Sequence, residues 1–328
     1  MAGEPTAAPA KSPRVRDAER TDPHGSSGSE IIRSRENRRL KLFRAALRGG
    51  GPASGEPIAV EGPKLVEEGL RAGLQLETLL VSESGEKHLG RIFQAARETA
   101  DGIPRSRILR TTDNLFAGVS GTEAPQGVAA LFHQREWAFD DVLRGVPSAD
   151  GAFRGDPALV IVLAGVQDPG NVGTIVRSAE AFGATGIIAA RGTADPWSPK
   201  AVRASAGSAL RLPLIRGIAA PVVFAQLRVA GVRIYAAVSG AGKEARPAGP
   251  QHRSEPDDAR PAQPGAELTL PSAILIGSEG HGLPSEVESA ADGKISVPIS
   301  DDVESLNAAV AASVLLYEAA RQRRTAAG

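Results

Sequence analysis

The residues best suited to chemistry fall in three short polar islands, each at the end of an apolar run. In "QDPGNVGTIVRSAEAFG", residues 167–183, Pro169 and Gly170 make a turn, Asn171 stands where a helix cap would, and Arg177 carries the one guanidinium of the segment. The free N–H groups of such a helix start suit an anion or a polar ligand. In "ILIGSEGHGL", residues 274–283, an apolar strand runs straight into Gly277 and further glycines that let a ligand approach the backbone, with Glu279 as the one carboxylate. In "ISVPISDDVESLNAAVA", residues 295–311, Ser305 and Asn307 open an Ala-rich helix whose small residues permit close approach of another backbone. Each island also has a plainer explanation: a capped helix with a solvated arginine, a glycine turn closing a strand, and two ordinary helix caps. A dinucleotide loop is disfavoured, because G-x-G-x-x-G needs three glycines where only Gly170 and Gly173 stand, and "GIIAARG" ends near Arg191 where an acidic ribose partner belongs.

The elements that must position these islands alternate between strand and helix patterns. From 37 to 48, "NRRLKLFRAALR" places Leu40, Phe43 and Leu47 at helical spacing among five basic residues, a basic amphipathic helix. Short apolar runs then alternate with helical stretches to about residue 134, the pattern of a small α/β domain. Residues 135–156 carry the Gly, Pro and Asp punctuation of a linker, and a second α/β unit begins at "ALVIVLAGV" and ends in a helix over 305–321. Three loops at the C-terminal ends of strands in one open sheet converge on a single crevice. Residues 1–34 and the insertion 241–270 are rich in Pro, Gly, Ala and mixed charge and are expected to be disordered.

With 328 residues the chain is long enough for two domains. Its 38 basic and 38 acidic side chains leave any nucleic-acid surface to local clustering, for which the helix at 37–48 and Lys200, Arg203, Arg211 and Arg216 are the candidates; a solvated helix face is the plainer explanation. No cysteine is present, which excludes disulfides, thiolate zinc sites and a thiol nucleophile. The longest strongly apolar run, 158–166, is too short to span a bilayer, and a cytoplasmic protein with no membrane association is expected.

In order along the chain, "NVGTIVRSAEAFGA", "KAVRASAGSALRLPL", "ILIGSEGHGL" and "ISVPI…SLNAAVA" closely resemble the motif set of the SpoU (TrmH-like) RNA 2′-O-ribose methyltransferases of the SPOUT superfamily. "IAVEGPKLVEEGL" and "VSGTEAPQGVAAL" are similar to that family's substrate-binding domain, of ribosomal-protein-L30e-like fold, and the likeness covers roughly residues 37–325. The resemblance implies an N-terminal L30e-like α/β domain over 35–134 and a C-terminal α/β-knot domain over 157–325, a trefoil-knotted, mostly parallel sheet. Chain-topology rules alone argue against a knot.

The resemblance further implies S-adenosyl-L-methionine as cofactor, no metal, an RNA substrate, and a homodimer with the site near the subunit interface. Gly277, Val297 and Leu306 match the family's cofactor-binding backbone positions and Ile299 a pocket wall, while Asn171, Arg177, Glu279, Ser305 and Asn307 match its catalytic set. The implied reaction moves a methyl group to a ribose 2′-hydroxyl. The L30e-like domain favours ribosomal RNA; a transfer-RNA enzyme and a non-catalytic RNA-binding or ribosome-assembly factor of the same fold are the alternatives. Two roles stay open for Arg177: proton acceptor, which suits a guanidinium poorly, or donor to the phosphate and developing oxyanion.

Overall fold

Leu40, Phe43 and Leu47 form the buried stripe of helix α1 (Arg38–Arg48) in the computed structural model, with the Asn37 side chain accepting a hydrogen bond from the Arg39 amide at 2.9 Å. The structure describes residues 31–53, 55–99, 102–146, 155–239, 266–300 and 302–327. The first unit holds β1 (Ile31–Ile32), α1, β2 (Ile58–Glu61), α2 (Pro63–Arg71), β3 (Leu76–Ser82), α3 (Leu89–Thr99), β4 (Ile108–Thr111), α4 (Asp113–Ala117) and β5 (Val128–Phe132). Its mixed sheet has the order β1-β4-β3-β5-β2, with β5 antiparallel to both its neighbours. Alternation along β3 divides the packing: Leu80 meets the α1 stripe on one face, while Leu79 and Val81 meet Val66, Leu70 and Ile92 of α2 and α3 on the other.

The second unit runs α5 (Phe139–Arg144), β6 (Leu159–Ala164), α6 (Pro169–Ala181), β7 (Gly186–Ala190), α7 (Pro199–Ala204), β8 (Leu214–Ile218), α8 (Ala220–Val229), β9 (Arg233–Ala237), β10 (Ser272–Gly277), α9 (Ser285–Ser289), β11 (Gly293–Ile295) and α10 (Ala308–Ala327). All six strands are parallel, in the order β11-β9-β10-β6-β7-β8. Such a sheet is covered on both faces and reads as continuous apolar runs. Leu159, Ile161 and Leu163 pack with Ile175, Val176, Leu315 and Leu316 of α6 and α10, while Val160 and Val162 pack with Val223, Phe224 and Leu227 of α8. Each such fully buried side chain contributes on the order of 2 kcal/mol. No helix among the described residues is long and apolar enough to cross a membrane.

Three segments differ from the sequence expectation. Residues 1–30 lie outside the described residues, but Ile31–Ile32, placed in the tail from composition, form β1 parallel to β4, and the Thr111 hydroxyl donates to the Ile32 carbonyl at 3.1 Å. Within the stretch taken as linker, α5 packs on β6, β7 and β8, with Val142 fully buried against Gly186, where a Cβ would lie 2.7 Å from Val142 Cγ1. Most of the 241–270 insertion is outside the described residues, yet Ala266 and Leu268 are buried, and Arg323 of α10 donates to the carbonyls of Leu268 at 2.7 Å and Leu270 at 3.1 Å. Ala266 and Leu268, near the end of that segment, therefore belong to the core.

Candidate active site

Strands β6 and β10 are adjacent and parallel, and β11 points the same way across β9, so the loops that follow all three emerge at one edge of the sheet. After β6, Pro169 sits in the first turn of α6, and Asp168 is the cap: its carboxylate accepts from the Gly170 amide at 2.6 Å and from Lys200 Nζ at 2.9 Å. Asn171 is thus not the cap that its position suggested. Its amide group is free to reach sideways, donating through Nδ2 to Glu279 Oε1 at 2.6 Å and accepting at Oδ1 from Asn307 Nδ2 at 3.2 Å.

Asn307 in turn caps α10, its Oδ1 accepting from the amides of Ala309 at 2.9 Å and Val310 at 3.3 Å. The last helix therefore begins at Ala308, and Ser305 and Leu306 belong to the preceding loop. One chain of hydrogen bonds, Glu279–Asn171–Asn307, joins residues from all three islands. Burial tends to raise the Glu279 carboxyl, but the bond from Asn171 and backbone donors at 279, 167 and 168 outweigh it and hold the group below the usual carboxylate range. The carboxylate stays ionised.

Beside this chain lies a cavity of about 470 Å³, within the range of small-molecule sites. Its walls include Gly277, Glu279, Val297, Ile299, Ser305 and Leu306, which brings together every residue assigned to cofactor binding and two of the catalytic set. Asn171 and Asn307 stand behind the wall, touching it through Glu279 and the start of α10. Gly277 must be glycine because the loop turns straight back: Ser278 and Gly282 exchange backbone hydrogen bonds at 2.9 and 3.0 Å, and a Cβ at 277 would collide with the Gly282 carbonyl. Sequence reasoning missed Glu304, His281 and Leu315 as lining residues. Glu304 adjoins Ser305 and was within reach of the same motif; Leu315 was not, since only the course of α10 brings it there.

Arg177 stands apart. It is exposed on α6 and makes no hydrogen bond or ion pair with the described residues. Six residues from Asn171, it points about 120° away around the helix. Ser178, near the Asn171 stripe, instead bonds Ser313 of α10 at 2.7 Å. Gly173 faces α7, where a Cβ would lie 2.6 Å from that of Ala204, so this glycine serves helix packing rather than a phosphate.

Three of the basic residues offered as RNA-surface candidates are otherwise engaged: Lys200 on Asp168, Arg211 on Glu68 and Glu180, and Arg216 on Asp195 and the Pro52 carbonyl. Arg203 lies at the inter-unit junction, 3.8 Å from where a Gly121 Cβ would stand.

A parallel α/β unit whose strand-end loops close on one small-molecule cavity, preceded by a smaller α/β unit, defines a two-unit ligand-binding protein of the open-sheet class. Residues 158–317 match the SpoU rRNA Methylase family and residues 55–130 the MRM3-like substrate binding domain. An uncharacterized tRNA/rRNA methyltransferase of Mycobacterium ulcerans is 32% identical over 277 residues, 84% of this chain and 81% of its own. The Bacillus subtilis 23S rRNA (guanosine(2553)-2′-O)-methyltransferase RlmP is 27% identical over 287 residues, 87% of this chain and 97% of its own. The structure of the SpoU methyltransferase AviRb of Streptomyces viridochromogenes, in complex with the cofactor AdoMet, superposes with a TM-score of 0.66 and 27% identity, covering 88% of this chain and 99% of that one. The chain belongs to the SpoU family of RNA methyltransferases.

Proposed function

We propose that the protein transfers a methyl group from S-adenosylmethionine to a ribose 2′-hydroxyl of ribosomal RNA. The observation that carries this is the Glu279–Asn171–Asn307 chain, which registers the three loops around a cavity of fitting size. The cavity fits the cofactor chemically as well: Val297, Ile299 and Leu306 supply apolar wall, and the carboxylates of Glu279 and Glu304 suit positively charged groups. When bound, the cofactor would supply an electrophilic methyl carbon on a sulfonium, the carbon–sulfur bond breaking as the ribose oxygen–carbon bond forms and the hydroxyl proton passing to solvent water. The protein's work is therefore alignment and charge. Asn171 and Asn307 hold the loops, and Ser305 at the cavity wall offers a hydroxyl to the substrate ribose.

Arg177 acts as a donor: its planar fork suits a backbone phosphate and the oxyanion developing on the ribose, and a guanidinium holds its protons. Its outward direction and lack of partners among the described residues support a homodimer in which it serves a site at the subunit interface. Val310, Val314 and Tyr317 form an exposed stripe on α10, and Tyr317 meets Phe182, at the end of α6, edge-on at 5.9 Å, an apolar patch suited to a second copy. The segment between β10 and α10, which wraps the cavity, is the passage that we assign to the trefoil knot.

The RlmP likeness, which spans nearly the whole of that enzyme, supports ribosomal RNA and ribose chemistry. The test is incubation of the full chain with methyl-tritiated cofactor and unmodified transcripts of both large ribosomal RNAs and of transfer RNAs. Label resistant to alkaline cleavage, in a ribosomal transcript, is the expected result. Label in a base, in transfer RNA alone, or in none of the transcripts overturns the proposal.

A further inference from the structure

We propose that Arg211 is a positioning residue that locks the N-terminal unit to the catalytic helix, so that RNA held by one unit meets the site of the other in a fixed register. This rests on the reading above. The guanidinium of Arg211, about one-third exposed, grips Glu180 of α6 with two parallel bonds, Nε to Oε1 and Nη2 to Oε2, each 2.7 Å. Its remaining arm, Nη1, bonds Glu68 of α2 in the other unit. Glu180 lies one turn beyond Arg177 on the same helix, so the clamp fixes the orientation of α2 relative to the helix that presents both Asn171 and Arg177.

Bidentate pairing is what makes arginine a geometric rather than a merely electrostatic link. Glu180 is held below the usual carboxylate range although burial, its largest influence, raises it, because bonds from Arg211 and Ser208 outweigh that. The backbone is shaped to the same contact. Gly207 has φ +92°, and a Cβ there would stand 3.1 Å from that of Glu68 and 3.4 Å from Arg211 Nη1, wedging the pair apart. A second arginine repeats the arrangement nearby: Arg216 stacks 4.9 Å from the Trp197 ring centre, binds Asp195, and reaches across to the Pro52 carbonyl at 2.6 Å and Gln134 Oε1 at 3.2 Å.

Glu68→Gln removes the charge of the inter-unit arm and leaves the Arg211–Glu180 arm intact. Because the chain has no cysteine, Arg97→Cys on α3 and Val229→Cys on α8, both exposed, admit paired spin labels for an inter-unit distance distribution on the full protein. The expected result is a narrow distribution that broadens in Glu68→Gln. Cofactor affinity by calorimetry stays within about twofold, and kcat on a large ribosomal RNA transcript falls roughly tenfold or more at little-changed KM. Arg211→Gln reproduces the effect, and the double variant is no worse than the worse single one, as for two partners of one contact.

An unchanged distance distribution, or a broadened one with kcat within about twofold of the parent, overturns the proposal. If the parent protein methylates none of the transcripts, the functional reading falls by itself, and the clamp stands or falls on the distance distribution.

Discussion

Replacing Asn171 by alanine separates the stability of the site from its alignment. The side chain makes two bonds, one to a carboxylate at 2.6 Å and one to an amide at 3.2 Å. A bond to a charged group is worth about 1.5–3 kcal/mol and a neutral one about 0.5–1.5 kcal/mol. Both partners, Glu279 and Asn307, are exposed, so once released they turn to water, and solvent screening keeps the net loss near the low end, about 1–2 kcal/mol. For a domain of this size that lowers Tm by a few degrees.

The effect on catalysis is much larger, because three loops lose their common register: kcat/KM falls about a hundredfold. The pH dependence gives an independent reading. Glu279 has a folded value below its ordinary one, so its contribution is complete at and above the ordinary carboxylate range and is lost as pH falls through the lowered folded value. Burial, its largest influence, opposes this, and the Asn171 bond is the foremost one sustaining it. Asn171→Ala therefore moves the acid limb of the kcat/KM profile to higher pH. Calorimetric unfolding and methyl transfer across a pH series check both points. A variant with kcat/KM within about twofold of the parent and an unmoved acid limb refutes the idea that Asn171 registers the loops.

Arg177→Ala is expected to abolish methyl transfer with cofactor affinity within about twofold, measured by calorimetry, since the residue lines none of the cavity. Val314→Glu places a charge in the exposed stripe of α10, and sedimentation should show a monomer that has lost activity, whereas an unaltered dimer excludes this face. Arg38 and Arg39 are exposed at the start of α1; neutralising each should weaken binding of ribosomal RNA transcripts and lessen the slope of log K against log salt by about 1.

What the sequence disclosed depended on whether a signal was local. The stripe Leu40, Phe43, Leu47 and the cap Asn37 lie within one another's reach, and α1 follows from them directly. By contrast β1 is two residues long and exists through its pairing with β4, a contact with Thr111 that no window around Ile31 contains. Helix α5 was hidden in a stretch of Gly, Pro and Asp because its stabilising feature is the gap that Gly186 leaves for Val142. In the site, residue types were legible from the three islands, but the division of labour was not. Asn171 and Asp168 are both good caps three residues apart, and the choice between them was made by Glu279 and Asn307, 108 and 136 positions away.

The arginines show the same principle with opposite consequence for function. Net charge of zero with 38 residues of each sign says that every basic side chain tied to a carboxylate removes one from the pool available to phosphate. Arg211 and Arg216 are tied in this way at the junction between the units, and Lys200 braces the cap of α6. What stays exposed and without an ion pair among the described residues includes Arg33, Arg35, Arg38 and Arg39 around the start of α1, Arg177 on α6, and Arg191 just after β7. Two separate basic groups, one on each unit, touch one RNA usefully only if the distance between them is fixed. On the proposed clamp, a basic residue that holds the units together would serve RNA recognition without touching RNA, because a fixed register between the two groups would convert two weak charge clusters into one site.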